Sequence, residues 1–142
     1  MKLPINLFLS GIMPYKVYYF ASAKLSTDIP HYFICLHRTE NEVLILACCT
    51  SQVAKRQRFI ALKDLPTTTL VWIKPTEENG LQKDSYVDCN GIFEYSVSDF
   101  KSLYEHDKIE YMGEISEEDF EEIIIGITDS PLIHENIKEL LK

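Results

Sequence analysis

Apolar and polar positions along this chain recur with a short period through most of its length and take a helical period only near the end. Residues 16–21, 31–36, 43–50, 59–62, 69–73, 85–88, 92–96 and 109–112 are short runs rich in β-branched and aromatic side chains. They are punctuated by Pro30, the polar stretch Arg38-Thr39-Glu40-Asn41, Lys63-Asp64-Leu65-Pro66 and the loop 74–80. Each run reads as a strand, and the spacing around residues 37–42 predicts a hairpin. Residues 98–104 form the one helical interruption. Short strands in this number, without long helices between them, predict a small barrel or sandwich.

The period changes after residue 115. Ser116 with Asp119 three residues on predicts a helix start at an approximate capping box, with Ile115 and Phe120 at the positions of a hydrophobic staple. Phe120, Ile123, Ile124 and Ile127 then make one apolar face over 116–127, while Glu117, Glu118, Glu121 and Glu122 crowd the first turns, where the helix dipole favours carboxylates. That acidic run reads as a solvated face, with metal or partner binding as the functional alternative. Asp129-Ser130-Pro131 predicts a second helix over 131–141, with Pro131 as its first residue and Ile133, Ile137, Leu140 and Leu141 as its stripe. With no repeat or linker in the sequence, the expectation is one α+β domain over 1–142, mainly β, with the barrel at about 15–112 and two C-terminal helices.

Charge alters this picture. The sequence carries a net −8, but residues 1–74 hold nine Lys/Arg against four Asp/Glu, a balance of +5, and residues 75–142 stand at −13. A basic half can hold nucleic acid while an acidic half stays solvated or meets another partner. An uneven but idle surface is the plain alternative. The four cysteines, Cys35, Cys48, Cys49 and Cys89, lack C-x-x-C spacing, and most sit in apolar runs, as small buried hydrophobes do. Cys48 and Cys49 point to opposite faces of a strand, so they cannot share a metal; no metal and no cofactor are expected. The first residues are too broken by Pro4 and Asn6 for a secretion signal, and no window reaches membrane-spanning length, so a cytoplasmic chain is expected.

The candidate chemistry gathers in one stretch. The run 43–49 ends in Thr50-Ser51-Gln52, and Lys55-Arg56-Gln57-Arg58 follows; the only other arginine, Arg38, lies just before the run. Hydroxyl donors beside guanidinium forks suit a phosphate. Thr50-Ser51 alone can also simply close a turn. His31, at the start of the neighbouring strand, can act as general acid or base near neutral pH, or merely hydrogen-bond a carbonyl. Asp84, Asp88 and Asn90 read as turn formers with a secondary claim on the site, while His37, His106 and His134 read as surface residues. The sequence contains no glycine-rich phosphate loop, no G-x-S-x-G elbow and no H-E-x-x-H.

Taken in order, Val17-Tyr18-Tyr19-Phe20, then Pro30-His31-Tyr32-Phe33-Ile34-Cys35-Leu36, then Leu44-Ile45-Leu46-Ala47-Cys48-Cys49-Thr50-Ser51-Gln52 resembles the MazF/PemK family of toxin endoribonucleases. Asp84-Ser85-Tyr86-Val87-Asp88 resembles its later Asp-containing strand, and Tyr111-Met112-Gly113-Glu114-Ile115-Ser116 its Gly-containing strand and capped helix. The resemblance spans roughly residues 15–128. It implies an SH3-like barrel, a homodimer, an antitoxin protein as partner, and metal-independent cleavage of single-stranded RNA by its own 2′-hydroxyl. Ser51 matches the family's hydroxyl, with Thr50 beside it. The family's arginine before the proline is replaced by Ile29, which can neither donate a proton nor stabilise charge. Two expectations follow. In the first, His31, Ser51 and Thr50 are catalytic and Arg56, Arg58, Lys55, Gln52 and Arg38 hold the phosphate. In the second, the barrel binds RNA or a protein without cutting. An adaptor docking a basic partner on its acidic helices is a weaker third.

Overall fold

The alternation in the sequence is realised as antiparallel pairing throughout. A computed structural model describes residues 2–142, so Met1 of the expected 1–142 domain lies outside the described residues. Among the described residues seven strands form one sheet: β1 (Lys16–Phe20), β2 (His31–Arg38), β3 (Val43–Thr50), β4 (Leu70–Ile73), β5 (Ser85–Asp88), β6 (Phe93–Ser96) and β7 (Ile109–Glu114), in the order β4-β5-β3-β2-β1-β7 with β6 also on β3. The helices are α1 (Ile5–Ser10), α2 (Val53–Leu62), α3 (Val97–Glu105), α4 (Glu117–Asp129) and α5 (Glu135–Leu140). The protein is thus strand-rich α+β.

β3 is the hub. One of its edges pairs with β2, while the other is shared, Val43 to Leu46 with β6 and Cys49–Thr50 with β5. Between those partners the sheet splits, and the β4–β5 pair turns away. β2 and β3 read as nearly unbroken apolar runs because both of their faces are covered. On one face Val17, Ile34, Ile45, Ala47 and Cys49 pack against Val71, Ile73 and Val87 of the turned-back strands and Ile123 and Ile127 of α4. On the other, Tyr18, Phe20, Phe33, Leu44 and Leu46 meet Phe8 and Ile12 at the N-terminus and Phe100 and Tyr104 of α3. Residues 5–12 therefore help to close a core.

Three elements depart from the sequence expectation, the first being α1, a helix that the pattern of residues 5–10 does not predict. Residues 59–62, expected as a strand, are the last turn of α2. Four apolar residues are too few to fix a period, and the preceding Ala54-Lys55-Arg56-Gln57-Arg58 are good helix formers. The final helix, expected over 131–141, begins only at Glu135, where the His134 ring accepts the Asn136 amide at 3.1 Å. Ser130 holds the intervening residues in a turn: its buried hydroxyl donates to Asn90 at 2.7 Å and accepts from the Leu132 amide at 3.2 Å. Local side-chain bonds of this kind compete with helix. Of the capping box read at Ser116 and Asp119, the bond that the Ser116 side chain accepts from the Asp119 amide forms, while the full reciprocal box occurs at Ser96 and Asp99 of α3, where no cap was expected.

The two ends of the strand order, β4 and β7, do not pair with each other among the described residues. The loop after β4 crosses to β7 instead, where the Glu114 amide donates to the Glu78 carbonyl at 2.7 Å. Gly113 makes this approach possible: its φ is 150°, and a Cβ there would lie 2.0 Å from the Glu78 oxygen. No helix among the described residues is long and apolar enough to cross a membrane.

Candidate functional site

The split along β3 opens a cleft. Thr50 ends β3, His31 begins β2 beside it, and the segment 51–52 leads directly into α2, whose first turn presents Lys55 and Arg56. Asp88 closes β5 on the opposite wall. Together His31, Thr50, Ser51, Gln52, Lys55, Arg56 and Asp88 line a cavity of about 500 Å³, floored by Cys48, Cys49 and Phe93. A second groove of about 440 Å³ continues past His31, Thr50 and Ser51 toward Tyr19, Tyr32 and Lys83. His31 of β2 is thus brought to the five expected residues of the 50–56 stretch, with Asp88 on the opposite wall.

His31 is half-buried, and its Nδ1 lies 2.8 Å from the Ile29 carbonyl oxygen. A carbonyl only accepts, so in the neutral ring Nδ1 carries the proton and Nε2 is left with its lone pair. The ring is therefore oriented as a base. Thr50 Oγ1 accepts the Gln52 amide at 3.0 Å, which fixes the side chain while leaving its hydroxyl proton free to donate. α2 starts without a side-chain cap and with no carboxylate in its first turn, so its N-terminal dipole faces the same segment uncompensated.

Arg56 is held rather than free. Its Nη1 lies 3.4 Å from Asp88 Oδ2, and its guanidinium carbon lies 5.5 Å from the Phe59 ring centroid. Asp88 is itself anchored, accepting from the Asn90 amide at 3.0 Å and from Asn90 Nδ2 at 3.1 Å. Asn90 also donates to Thr69 and accepts from Ser130. This chain of bonds ties the cleft wall to the start of the C-terminal turn. The sequence reading had Asp88 and Asn90 chiefly as turn formers; nothing in linear order marks Asp88 as the partner of an arginine on another element.

Two expected phosphate ligands are placed elsewhere. Arg38 sits at the far end of β2, roughly 23 Å along the strand from His31. There it donates to the Leu9 and Ile12 carbonyls at 2.7 and 3.0 Å and pairs with Glu42 at 2.5 Å. Its guanidinium bond to Glu42 pulls that carboxyl below its usual range. Arg38 is a structural clasp for α1. Arg58 is exposed on α2, about 200° around the helix from Arg56, and does not line the cleft.

Ile29, 66% exposed, stands at the mouth of both grooves. Among the described residues no group of three or more His, Cys, Asp or Glu is placed to hold a metal ion. The cleft thus offers a base, two hydroxyl donors, an ammonium and a guanidinium around one space. No protein-family model and no curated protein sequence matches this chain.

Proposed function

We propose that the chain is a metal-independent endoribonuclease that cleaves single-stranded RNA by attack of the RNA's own 2′-hydroxyl. The observation that carries this reading is the His31 ring, oriented with Nε2 open in a cleft that also holds Thr50, Ser51, Lys55 and Arg56. His31 Nε2 takes the 2′-hydroxyl proton, the 2′-oxygen forms its bond to phosphorus, and the bond to the 5′-oxygen breaks. The products are a 2′,3′-cyclic phosphate and a 5′-hydroxyl, the leaving oxygen taking its proton from the Lys55 ammonium or from water. Arg56 and the two hydroxyls meet the charge that builds on the non-bridging oxygens, the kind of electrostatic stabilisation that is commonly the largest catalytic contribution.

The resemblance to MazF/PemK toxins supports the same reading, and with it an SH3-like barrel, a homodimer, an antitoxin partner and a cytoplasmic setting. The bent sheet, with the loop after β4 bridging to β7, suits such a barrel. His31 compensates here for the isoleucine at position 29. Incubated with single-stranded RNA in a chelating buffer, the protein is expected to leave cyclic phosphate ends. His31→Ala lowers the rate by about a hundredfold or more, and an undiminished rate in that variant removes His31 from the mechanism.

A second reading is favoured by the Arg56–Asp88 pair. An arginine already facing a carboxylate has less charge to give a phosphorane, and the cleft then binds RNA without cutting it. Salt-sensitive binding with no cleavage at any excess of protein selects this alternative.

A further inference from the structure

The register of the sheet carries a feature of the cleft beyond its phosphate chemistry. Thr50 of β3 pairs directly with Tyr86 of β5, and Tyr86 pairs directly with Trp72 of β4. Directly opposed residues of antiparallel strands project from the same face. Thr50, Tyr86 and Trp72 therefore form one row, leading out of the cleft across the outer face of the turned-away strands. Their neighbours Val71, Ile73 and Val87 fill the core from the other face.

Tyr86 and Trp72 belong to neither core cluster, and Trp72 is 47% exposed. A tryptophan in so short an edge strand gains little by facing water, and a valine or threonine serves the sheet equally well. Lys74 brings its ammonium 5.2 Å from the Trp72 ring centroid, so the row ends on a cation. With strands about 4.8 Å apart, Trp72 lies roughly 10 Å from Thr50. That is about three stacked nucleotides from the scissile phosphate, and fewer for an extended strand.

We infer that Tyr86 and Trp72 form a base-stacking platform for the single-stranded RNA whose phosphate occupies the cleft. This inference rests on the RNA reading above and adds the surface that holds the flanking bases. Every nucleobase has a face to stack, so the platform contributes affinity with little sequence preference. A base on Trp72 takes the place of the Lys74 ammonium over the ring and releases it to the accompanying backbone phosphate. Arg56 and Lys55 at one end and Lys74 at the other then bracket the aromatic row with positive charge.

Trp72 is the single tryptophan in the sequence, so its emission reports this surface alone. The probe is a short labelled 2′-O-methyl RNA, which lacks the nucleophile and is not cut, compared with an abasic backbone and a deoxy oligonucleotide. Saturable quenching of Trp72 is expected with the 2′-O-methyl RNA and little with the abasic strand. By anisotropy, Trp72→Ala weakens binding about tenfold, while Trp72→Phe keeps most of the affinity, which rules out a folding defect. Binding that leaves the emission unchanged, with wild-type affinity in Trp72→Ala, overturns the platform, and cleavage of ordinary RNA in that case leaves the proposed activity standing. Quenching by the 2′-O-methyl RNA together with no cleavage of ordinary RNA retires the cleavage and keeps the platform. Absence of any binding overturns both, and preference for the deoxy strand overturns the assignment to RNA.

Discussion

A thiol beside an imidazole is the arrangement of a cysteine nucleophile, and Cys48 lines the same cleft as His31. Burial decides against that chemistry. It pushes the Cys48 thiol up to about 12, the nearby Asp88 charge adding to the effect, and the Sγ donates to the Cys49 carbonyl at 3.4 Å. Cys35 and Cys89 are likewise raised to about 12 by desolvation, and Cys49 is raised by burial and by its cysteine neighbours. The thiolate is the reactive form, so all four are inert at neutral pH. Iodoacetamide is expected to label the native protein far more slowly than the denatured one, and activity should survive the treatment. Rapid labelling of Cys48 accompanied by loss of RNA cleavage reverses this conclusion. The same shifts set a limit on stability. In the unfolded chain these thiols ionise near 9, whereas the folded protein keeps their protons to about 12. Between those values the unfolded state binds fewer protons, so stability is complete below pH 9 and falls as pH rises. Each such thiol removes up to about 1.4 kcal/mol per pH unit. Denaturant melts between pH 8 and 11 check the sign.

At the scale of elements, the N-terminal helix is held by side-chain bonds more than by its own length. α1 has only six residues, and Arg38 clasps the Leu9 carbonyl at its C-terminal end and the Ile12 carbonyl just beyond it. Arg38→Ala is expected to cost about 1.5–3 kcal/mol, because charged hydrogen bonds are lost from a partly buried position. Hydrogen exchange should show opening confined to α1 and the edge of α3, with RNA binding unchanged. Weakened RNA binding with α1 intact returns Arg38 to the site. This residue also shows where the sequence stops being legible. Alternation located most strands, and the Ser116 cap with its apolar face located α4, because local rules decide them. Arg38 looked like a phosphate ligand because it lies close in sequence to the basic cluster; along β2 it is carried to the opposite end from His31. α2 was hidden for a different reason. Its last four residues are apolar and its buried face is narrow, with only Ile60 fully covered, so it shows no amphipathic period and only the helix propensity of residues 54–58 favours it. The Arg56–Asp88 pair and the Thr50–Tyr86–Trp72 row depend on pairing between distant strands, which no local signal encodes.

For the whole molecule, the sign of the charge argues against RNA and its distribution argues for it. A chain of net −8 repels a polyanion at long range, so association depends on the few cations at the cleft and is not steered by the overall field. α4 loads its first turn with Glu117, Glu118 and Asp119, on the same side of the sheet as the turned-back strands. The proposed RNA binding is then a local affair of Lys55, Arg56 and Lys74. If two or three phosphates are neutralised, the logarithm of the binding constant for single-stranded RNA falls with the logarithm of salt concentration at a slope between about −1.4 and −2.1. Arg56→Ala should reduce that slope by about 0.7, one phosphate's share. Arg58→Ala, from the opposite side of the helix, should leave the slope unchanged and the affinity within about twofold, as expected for a solvated surface charge. Equal effects from the two arginines mean that RNA is held by diffuse charge along α2. A slope near zero means that it is not held through its phosphates, and the cleft chemistry then loses its substrate.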